Sequence, residues 1–198
     1  MTDSLSSVPL FPLNSIILPK GRIPLQLFEP RYIDMLTRCL KEQQGFVVVL
    51  LQDGDEVGRK ALFHEQGTYV RIIDFQQLDN GLLGITVEGD TKVRVVRNWQ
   101  QEDGLHMGDA EPLEPEQQVD IPDRHYELPA VLQALFRHPV VKDLGMDVDF
   151  EDAREVGWRL TELLPLDKSE KQQLAECQDP VERLDRLQAL LDILEQGS

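Results

Sequence analysis

The sequence predicts an α+β protein, with a β-rich N-terminal part containing one helix and an α-helical C-terminal part. Short apolar runs separated by turn residues fill positions 8–113, and apolar residues recur at helical spacing from position 127 onward. A stretch rich in proline and acid, residues 111–118, separates the two patterns and reads as a linker. We therefore expect a β-rich lobe over residues 1–118 and a helical lobe over residues 119–198.

The first segment, residues 8–28, is predicted to be extended. Its prolines exclude a helix and restrict the preceding residues to extended conformations. Residues 19–21, "PKG", predict a turn between two strands. Because Pro12 and Pro24 have no N–H to donate, their strands should lie at a sheet edge or pair intermittently.

After Pro30 the apolar period changes to that of a helix. The residues on its apolar face are Tyr32, Met35, Leu36, Cys39 and Leu40. Gly45 is predicted to end this helix. The following "FVVVLL", residues 46–51, is apolar on both faces and predicts a central strand.

Three further strands are predicted after a polar loop at residues 52–66. They cover residues 67–78, 81–89 and 92–99, with tight turns at "DNG" (79–81) and "EGD" (88–90). Another short strand is expected within residues 105–113.

Four amphipathic segments predict helices in the C-terminal part, at residues 127–138, 152–165, 167–178 and 179–197. In the last of them Asp179 is suited to the N-cap and Pro180 to the first turn.

Composition limits the partners that the chain is expected to have. The 198 residues carry a formal net charge of -16, which repels nucleic-acid phosphates and anionic lipid. No apolar run approaches the roughly 18–20 residues that cross a bilayer, and the N-terminus lacks a signal-peptide pattern. Cys39 and Cys177 are far apart and predict reduced thiols in a cytoplasmic protein, with a single disulfide as the alternative.

No catalytic or metal-binding motif is found in the sequence. Glycine-rich phosphate loops and the GxSxG nucleophile turn are missing, and the four histidines are scattered and read as surface residues. Lys168 and Ser169 are adjacent and point to different faces of a helix, so they predict no dyad. The acidic runs 53–56 and 147–152 do not match calcium-loop spacing and read as solvated loops. We therefore predict no catalytic residue, no metal site and no cofactor.

The segment "LFEPRY", residues 27–32, has two interpretations. In the first it is a structural joint, with Glu29 at the positive end of the helix, Pro30 in its first turn, Tyr32 packed inward, and Arg31 paired with Glu29 or another carboxylate. In the second it forms the rim of a peptide-binding surface, with Phe28 and Arg31 as the contact residues.

The order of these pieces resembles the N-terminal substrate-binding domain of Lon proteases. The resemblance is carried by "PLFPLNSIILPKGRIPLQLFEPRYIDML" (9–36), "GTYVRIIDFQQLDNGLLGITVEGDTKVRVV" (67–96) and, less specifically, by the leucine-rich stretch 163–191. It implies a PUA-like β pseudo-barrel lobe followed by an α-helical bundle, and contact with unfolded or tagged proteins or another protein partner. The ATPase phosphate loop and the Ser/Lys dyad of Lon proteases are not found, so a non-catalytic adaptor or chaperone-like binder is expected.

Two other functions stay open at this point. PUA-like folds elsewhere bind RNA, although the acidic charge and the lack of a basic patch argue against this. An enzyme whose site is assembled from residues distant in sequence is the second alternative. The sequence does not fix the oligomeric state, and weak self-association is compatible with it.

Overall fold

The computed structural model describes residues 4–52 and 62–196, with side chains described up to residue 193 of the last helix. The chain divides into two units, Met1–Glu114 and Pro115–Ser198. The division falls four residues before the boundary expected from the sequence, because "EP" at 114–115 rather than the end of the acidic stretch separates the units. The sheet lies in the first unit and the second contains helices, so the α+β class is confirmed.

Among the described residues of the first unit, six strands form one sheet. They are β1 (Leu5–Leu13), β2 (Arg22–Leu27), β3 (Phe46–Leu51), β4 (Phe63–Gln77), β5 (Leu83–Gln100) and β6 (His106–Pro112). The strand order is β2-β5-β4-β3-β1-β6, and β5 also pairs with β6. The first half of β5 therefore lies between β2 and β4, while its second half reaches β6.

The prolines lie where the ladder can tolerate a missing N–H. Pro24 is in β2, which occupies the end of the strand order and pairs with β5. Pro12 pairs with Val49 of β3, but the ladder between β1 and β6 stops at Leu10, so Pro12 has a strand on one side. The expectation of edge or intermittent pairing is confirmed for both residues.

The predicted turn at residues 88–90 is wrong, since β5 runs through it as one strand. Thr91 pairs with Tyr69 and Gly89 with Val70, so Asp90 is an extra residue in a β-bulge. A Cβ on Gly89 would lie 2.1 Å from the Leu18 carbonyl oxygen. This glycine therefore serves a close approach of the backbone rather than a turn.

The helix α1 (Pro30–Glu42) begins as predicted but ends earlier than Gly45. Gln43 takes the left-handed conformation at φ 54°, and the Gln44 N–H donates to the Cys39 carbonyl at 2.9 Å. Gly45 instead allows close packing after the helix, because a Cβ there would lie 1.9 Å from the Val70 carbonyl oxygen. Its N–H donates to the Tyr69 hydroxyl at 2.6 Å. The predicted loop at 52–66 is also too long, since β4 begins at Phe63; residues 53–61, with the acidic run 53–56, lie outside the described residues.

The apolar face of α1 packs on the sheet. Met35, Leu36 and Cys39 are buried against a cluster that includes Leu27, Ile85 and Val87 of the β2–β5 pair. Leu40, expected on the same face, is 40% exposed. A second cluster buries the opposite side chains of β1 and β3 with those of the second half of β5, among them Leu10, Val47 and Val95.

The second unit contains a 3-10 turn (Asp123–His125) and the helices α2 (Leu128–Phe136), α3 (Pro139–Lys142), α4 (Ala153–Leu163), α5 (Lys168–Glu176) and α6 (Pro180–Gln196). The short α3 was not expected. Asp179 accepts the N–H groups of Val181 and Glu182 at 2.8 and 3.1 Å, which confirms it as the cap of α6. The core is built from leucines and valines of α2, α4, α5 and α6.

A buried ion pair joins the start of this unit to α6. The two Nη atoms of Arg183 donate to the two carboxylate oxygens of Glu116 at 2.8 and 2.7 Å, and Trp158 Nε1 donates to the same carboxylate at 3.2 Å. The Arg183 Nε donates to the Leu174 carbonyl at 2.9 Å, and Arg183 is fully buried. Within the stretch 111–118 that was predicted to be a linker, Glu116 is therefore buried, because its carboxylate is the counter-charge of a buried arginine.

The prediction that residues 147–152 form a solvated loop is wrong at Asp152. Its side chain is buried, caps α4 by accepting the Arg154 N–H at 2.9 Å, and pairs with the Arg154 guanidinium at 2.8 Å.

Candidate functional site

The joint between β2 and α1 holds the residues of "LFEPRY" in defined places. Glu29 is the N-cap of α1 with an extended backbone, and Pro30 occupies the first turn. The Glu29 carboxylate lies 2.7 Å from an Arg31 Nη atom, which confirms the predicted pairing. A carboxylate at this position also interacts favourably with the positive end of the helix.

Arg31 is held from several sides. One Nη donates to the Gly104 carbonyl at 2.8 Å, in the turn between β5 and β6, and the guanidinium lies 4.7 Å from the centre of the Tyr32 ring. The Gln100 amide donates to the same Gly104 carbonyl at 2.9 Å. The Arg31 Nε is buried and has no acceptor among the described residues. This side chain therefore ties the start of α1 to a turn that is 73 residues away along the chain.

Tyr32 faces inward from the first turn of α1. Its ring centre lies 4.3 Å from that of Phe11, and the residue packs against the core under the helix while staying partly exposed. Burial raises the pKa of its hydroxyl, with a smaller opposing effect from the Arg31 charge. The hydroxyl is therefore neutral near pH 7.

Phe28 differs from its neighbours because 67% of its surface is exposed. It precedes the N-cap, and Ile33 is the fourth residue of α1, so the two occupy the positions of a hydrophobic staple. Ile33 is itself 37% exposed. Two accessible apolar residues therefore occupy the staple positions at the joint.

A second pair of exposed apolar residues lies on β4. Phe75 is opposite Ile85 of β5, which is opposite Leu25 of β2, so the three side chains share one face of the sheet. Ile85 is buried in the core beneath α1, whereas Phe75 is 60% exposed. Ile73, 44% exposed, lies where the register between β4 and β5 slips. Phe75 therefore lies at the margin of the sheet face that α1 leaves uncovered.

Both groups lie at the end of the sheet where β4 turns into β5. Leu27 is opposite Leu83, which is opposite Gln77, so Leu27, the residue before Phe28, is separated from the end of β4 by two strand spacings, about 10 Å. We call the four exposed residues, Phe28, Ile33, Ile73 and Phe75, the β2–α1 surface. Phe28 was identified from the sequence and the other three were not. The exposure of Ile73 and Phe75 depends on the register of three strands.

Exposed carboxylates accompany this surface. Asp34 follows Ile33 on α1, Asp74 lies between Ile73 and Phe75, and Asp79 is in the turn after β4. The arginines nearest in sequence, Arg31 and Arg71, are paired with Glu29 and Asp90. The three carboxylates therefore add to the negative net charge that the chain carries as a whole.

Two histidines read as surface residues are in fact buried. His106 packs edge-on against Phe63 with ring centres 5.6 Å apart, and burial, followed by the Arg31 charge, lowers its pKa. His125 contacts the Asp185 carboxylate through Nε2 at 2.8 Å. Within residues 4–52 and 62–196, no group of three or more His, Cys, Asp or Glu side chains is arranged to hold a metal ion. Cys39 and Cys177 are both free and buried, which agrees with the prediction of reduced thiols.

The helical unit has a groove of its own between α5 and α6, with a volume of about 490 Å³. Its apolar residues are Leu174, Ala189, Leu190 and Ile193, and its polar rim is formed by Glu170, Gln173 and Arg186. Arg186 is held by Glu182 one turn earlier in α6. Among the described residues, no helix is long and apolar enough to span a membrane.

The described residues form a β-rich unit with exposed apolar side chains toward one end of its sheet, followed by a helical unit. The sequence model of the family "ATP-dependent protease La (LON) substrate-binding domain" matches residues 7–193, and the chain belongs to this family. This confirms the resemblance inferred from the sequence.

Solved structures and a curated relative agree with this assignment. A Lon N-terminal domain protein from Xanthomonas campestris is 34% identical, with a TM-score of 0.76, and the match covers 93% of this chain and 98% of that one. The N-terminal domain of Mycobacterium avium complex Lon protease is 15% identical, with a TM-score of 0.56 over 92% of this chain and 96% of that one, and shows the shared fold. Lon protease 1 of Bacillus subtilis (strain 168) is 23% identical over 194 residues, which are 91% of this chain and 24% of that protein. The chain thus spans about a quarter of that relative.

Proposed function

We propose that this protein is a non-catalytic module that binds unfolded or tagged protein segments, and that the β2–α1 surface is where they bind. Membership of a substrate-binding family supports recognition of protein substrates. The observation that supports the choice of surface is that four exposed apolar side chains, Phe28, Ile33, Ile73 and Phe75, lie on elements that meet toward one end of the sheet. Apolar surfaces of this kind mark sites of protein interaction.

The role of each residue in "LFEPRY" follows from its contacts. Glu29, Pro30 and Tyr32 build the joint, and Arg31 fixes it to the turn at Gly104. Phe28 is the residue of this segment most available to a bound peptide, because 67% of its surface is exposed. We propose that Arg31 holds Phe28 in place and contacts the peptide with its remaining exposed surface.

The wider proposal concerns the setting of this module. It acts as an adaptor or chaperone-like binder in the cytoplasm, without peptidase or ATPase activity of its own. The pairing of β5 with both β4 and β6 supports a PUA-like pseudo-barrel in the first unit, and the shared core of α2, α4, α5 and α6 supports a helical bundle in the second. The net charge of -16 disfavours RNA as the ligand.

The test is binding of a fluorescently labelled unfolded segment, measured by anisotropy. Phe75→Ala removes an aromatic ring that is 60% exposed, and we expect a loss of about 1–2 kcal/mol, or about five- to thirtyfold in Kd. Phe28→Ala should behave alike. Val96→Ala is the matched control, because Val96 is 53% exposed on the half of β5 that pairs with β6.

Both outcomes of this comparison are informative. Weaker binding by the two Phe variants, with unchanged binding by the Val96 variant, supports the β2–α1 surface as the binding site. Equal binding in all variants would place the ligand elsewhere, and no binding by the unaltered chain would remove the proposed function. Excess total tRNA is added as a competitor, and it should not displace the segment.

A further inference from the structure

The outer edge of β2 can be assigned from its hydrogen bonds to β5. The Gly89 N–H donates to the Gly21 carbonyl at 2.9 Å, so the Gly21 carbonyl points toward β5. Hydrogen-bonded and non-bonded pairs alternate along an antiparallel ladder. The residues of β2 whose backbone groups point toward β5 are therefore Ile23, Leu25 and Leu27, and those that point outward are Arg22, Pro24 and Gln26.

Pro24 thus occupies the middle of the outward-facing set. An incoming strand would pair with the outward N–H and C=O groups, and the central position has no N–H to offer. The pyrrolidine ring also occupies the space that a neighbouring strand needs. Proline at this place is a known means of blocking strand addition at a sheet edge.

Charge defines the chemistry of the segment that the β2–α1 surface accepts. Asp34 and Asp74 are exposed and adjacent in sequence to its apolar residues, and the exposed Asp79 follows in the turn after β4. The chain as a whole carries 36 acidic against 20 basic residues, so a ligand rich in acid is repelled at long range. Lysines or arginines flanking an apolar stretch complement this field.

We propose that the β2–α1 surface binds an apolar segment flanked by basic residues, and recognises it through side chains without adding it as a strand to β2. This inference rests on the proposed function and specifies the class of segment and its mode of binding. The apolar side chains of the segment contact Phe28 and Phe75, its cations lie near the carboxylates, and its backbone stays unpaired with β2.

The test uses the full chain and a set of labelled peptides with one common apolar stretch. Three peptides carry flanking lysines, glutamines or glutamates. Two further lysine peptides are N-methylated on one or the other alternate set of residues. A strand added to β2 donates from one set alone, whereas recognition through side chains treats the two methylated peptides alike.

We expect the lysine peptide to bind about three- to tenfold tighter than the glutamine peptide at low salt, with the difference shrinking as salt rises. Each methylated peptide should retain affinity within about threefold of its parent, since no backbone pairing is lost. Loss of binding for one methylated set alone would overturn the proposal, as would a glutamate peptide that binds as tightly as the lysine peptide. If the unmethylated lysine peptide binds and Phe75→Ala weakens that binding, the proposed function stands even where the peptide comparisons overturn this inference.

Discussion

Replacing Glu116 by Gln tests the buried ion pair of the helical unit. The change keeps the size of the side chain and removes the counter-charge of Arg183, which is fully buried and bonded to both Glu116 oxygens. The carbonyls of Leu174 and Cys177 still accept from Arg183, so some hydrogen bonds remain. Removing one partner of a buried pair leaves an uncompensated charge.

The magnitude follows from this burial. Breaking a buried ion pair costs about 3–5 kcal/mol. For a unit of this size, about 1 kcal/mol shifts the melting midpoint by about 4–8 °C, so Glu116→Gln should lower the Tm of the helical unit by about 12 °C or more. The Trp158 indole also loses a charged acceptor.

Trp158 supplies the assay, because it contacts Glu116 and is buried. The other tryptophan of the chain, Trp99, is replaced by Phe in all samples so that fluorescence reports on the helical unit. Urea unfolding is followed for the parent, Glu116→Gln, Arg183→Met and the double variant Glu116→Leu/Arg183→Met. The double variant should recover most of the loss, because a well-packed apolar pair has no charge to desolvate.

If Glu116→Gln changes the free energy of unfolding by less than about 1 kcal/mol, the range of exposed ion pairs, then the Arg183 charge is not costly to leave uncompensated. The same conclusion follows if the double variant is no more stable than the less stable of the two single variants. Either result would mean that the pair is hydrated in solution, and the high cost assigned to burial would not apply.

Three further changes test other parts of the chain. Pro24→Thr supplies an outward N–H on β2, and it should promote association of copies in sedimentation velocity, whereas Gln26→Thr, in the same outward set, should not. Gly89→Ala places a Cβ 2.1 Å from the Leu18 carbonyl oxygen and should destabilise the first unit by more than about 2 kcal/mol. Gly81→Ala is the control: a Cβ there meets open space, but its φ is 80°, so the change should cost about 1 kcal/mol. Equal losses of the two variants in thermal unfolding would contradict the effect of the close approach at Gly89. Burial raises the pKa of Cys39 from 9.0 to about 11, so the contribution of the buried thiol to stability is fully present below pH 9 and is lost as pH rises through about 11. In a Cys177→Ser background, iodoacetamide should modify Cys39 at pH 8 only as fast as the protein opens. Rapid labelling without denaturant would refute the burial of Cys39.

The order and type of most elements could be predicted because local patterns determine them. The helix after Pro30, the buried strand 46–51 and the cap at Asp179 depend on residues close in sequence. The bulge at Asp90 could not be told from a turn, since "EGD" suits both and the choice depends on pairing with Tyr69 and Val70.

The site was less accessible to sequence reasoning. The contact of Arg31 with Gly104 joins residues 73 apart, and the exposure of Phe75 follows from its register with Ile85 and Leu25. Glu116 looked like a linker acid, because nothing near it in sequence reveals the arginine that it meets 67 residues later. Phe28 was identified because it lies within a local motif, "LFEPRY".

The pairing of β1 with β6 has a consequence for synthesis of the chain. Leu10 is opposite His106, so the edge of β1 that pairs with β6 stays uncovered until nearly the whole first unit has left the ribosome. The second half of β5 also pairs with β6, so its edge stays uncovered for the same time. A nascent chain, or a fragment that stops before His106, would therefore present two uncovered strand edges at once, and this is the stage at which we expect it to depend most on chaperones.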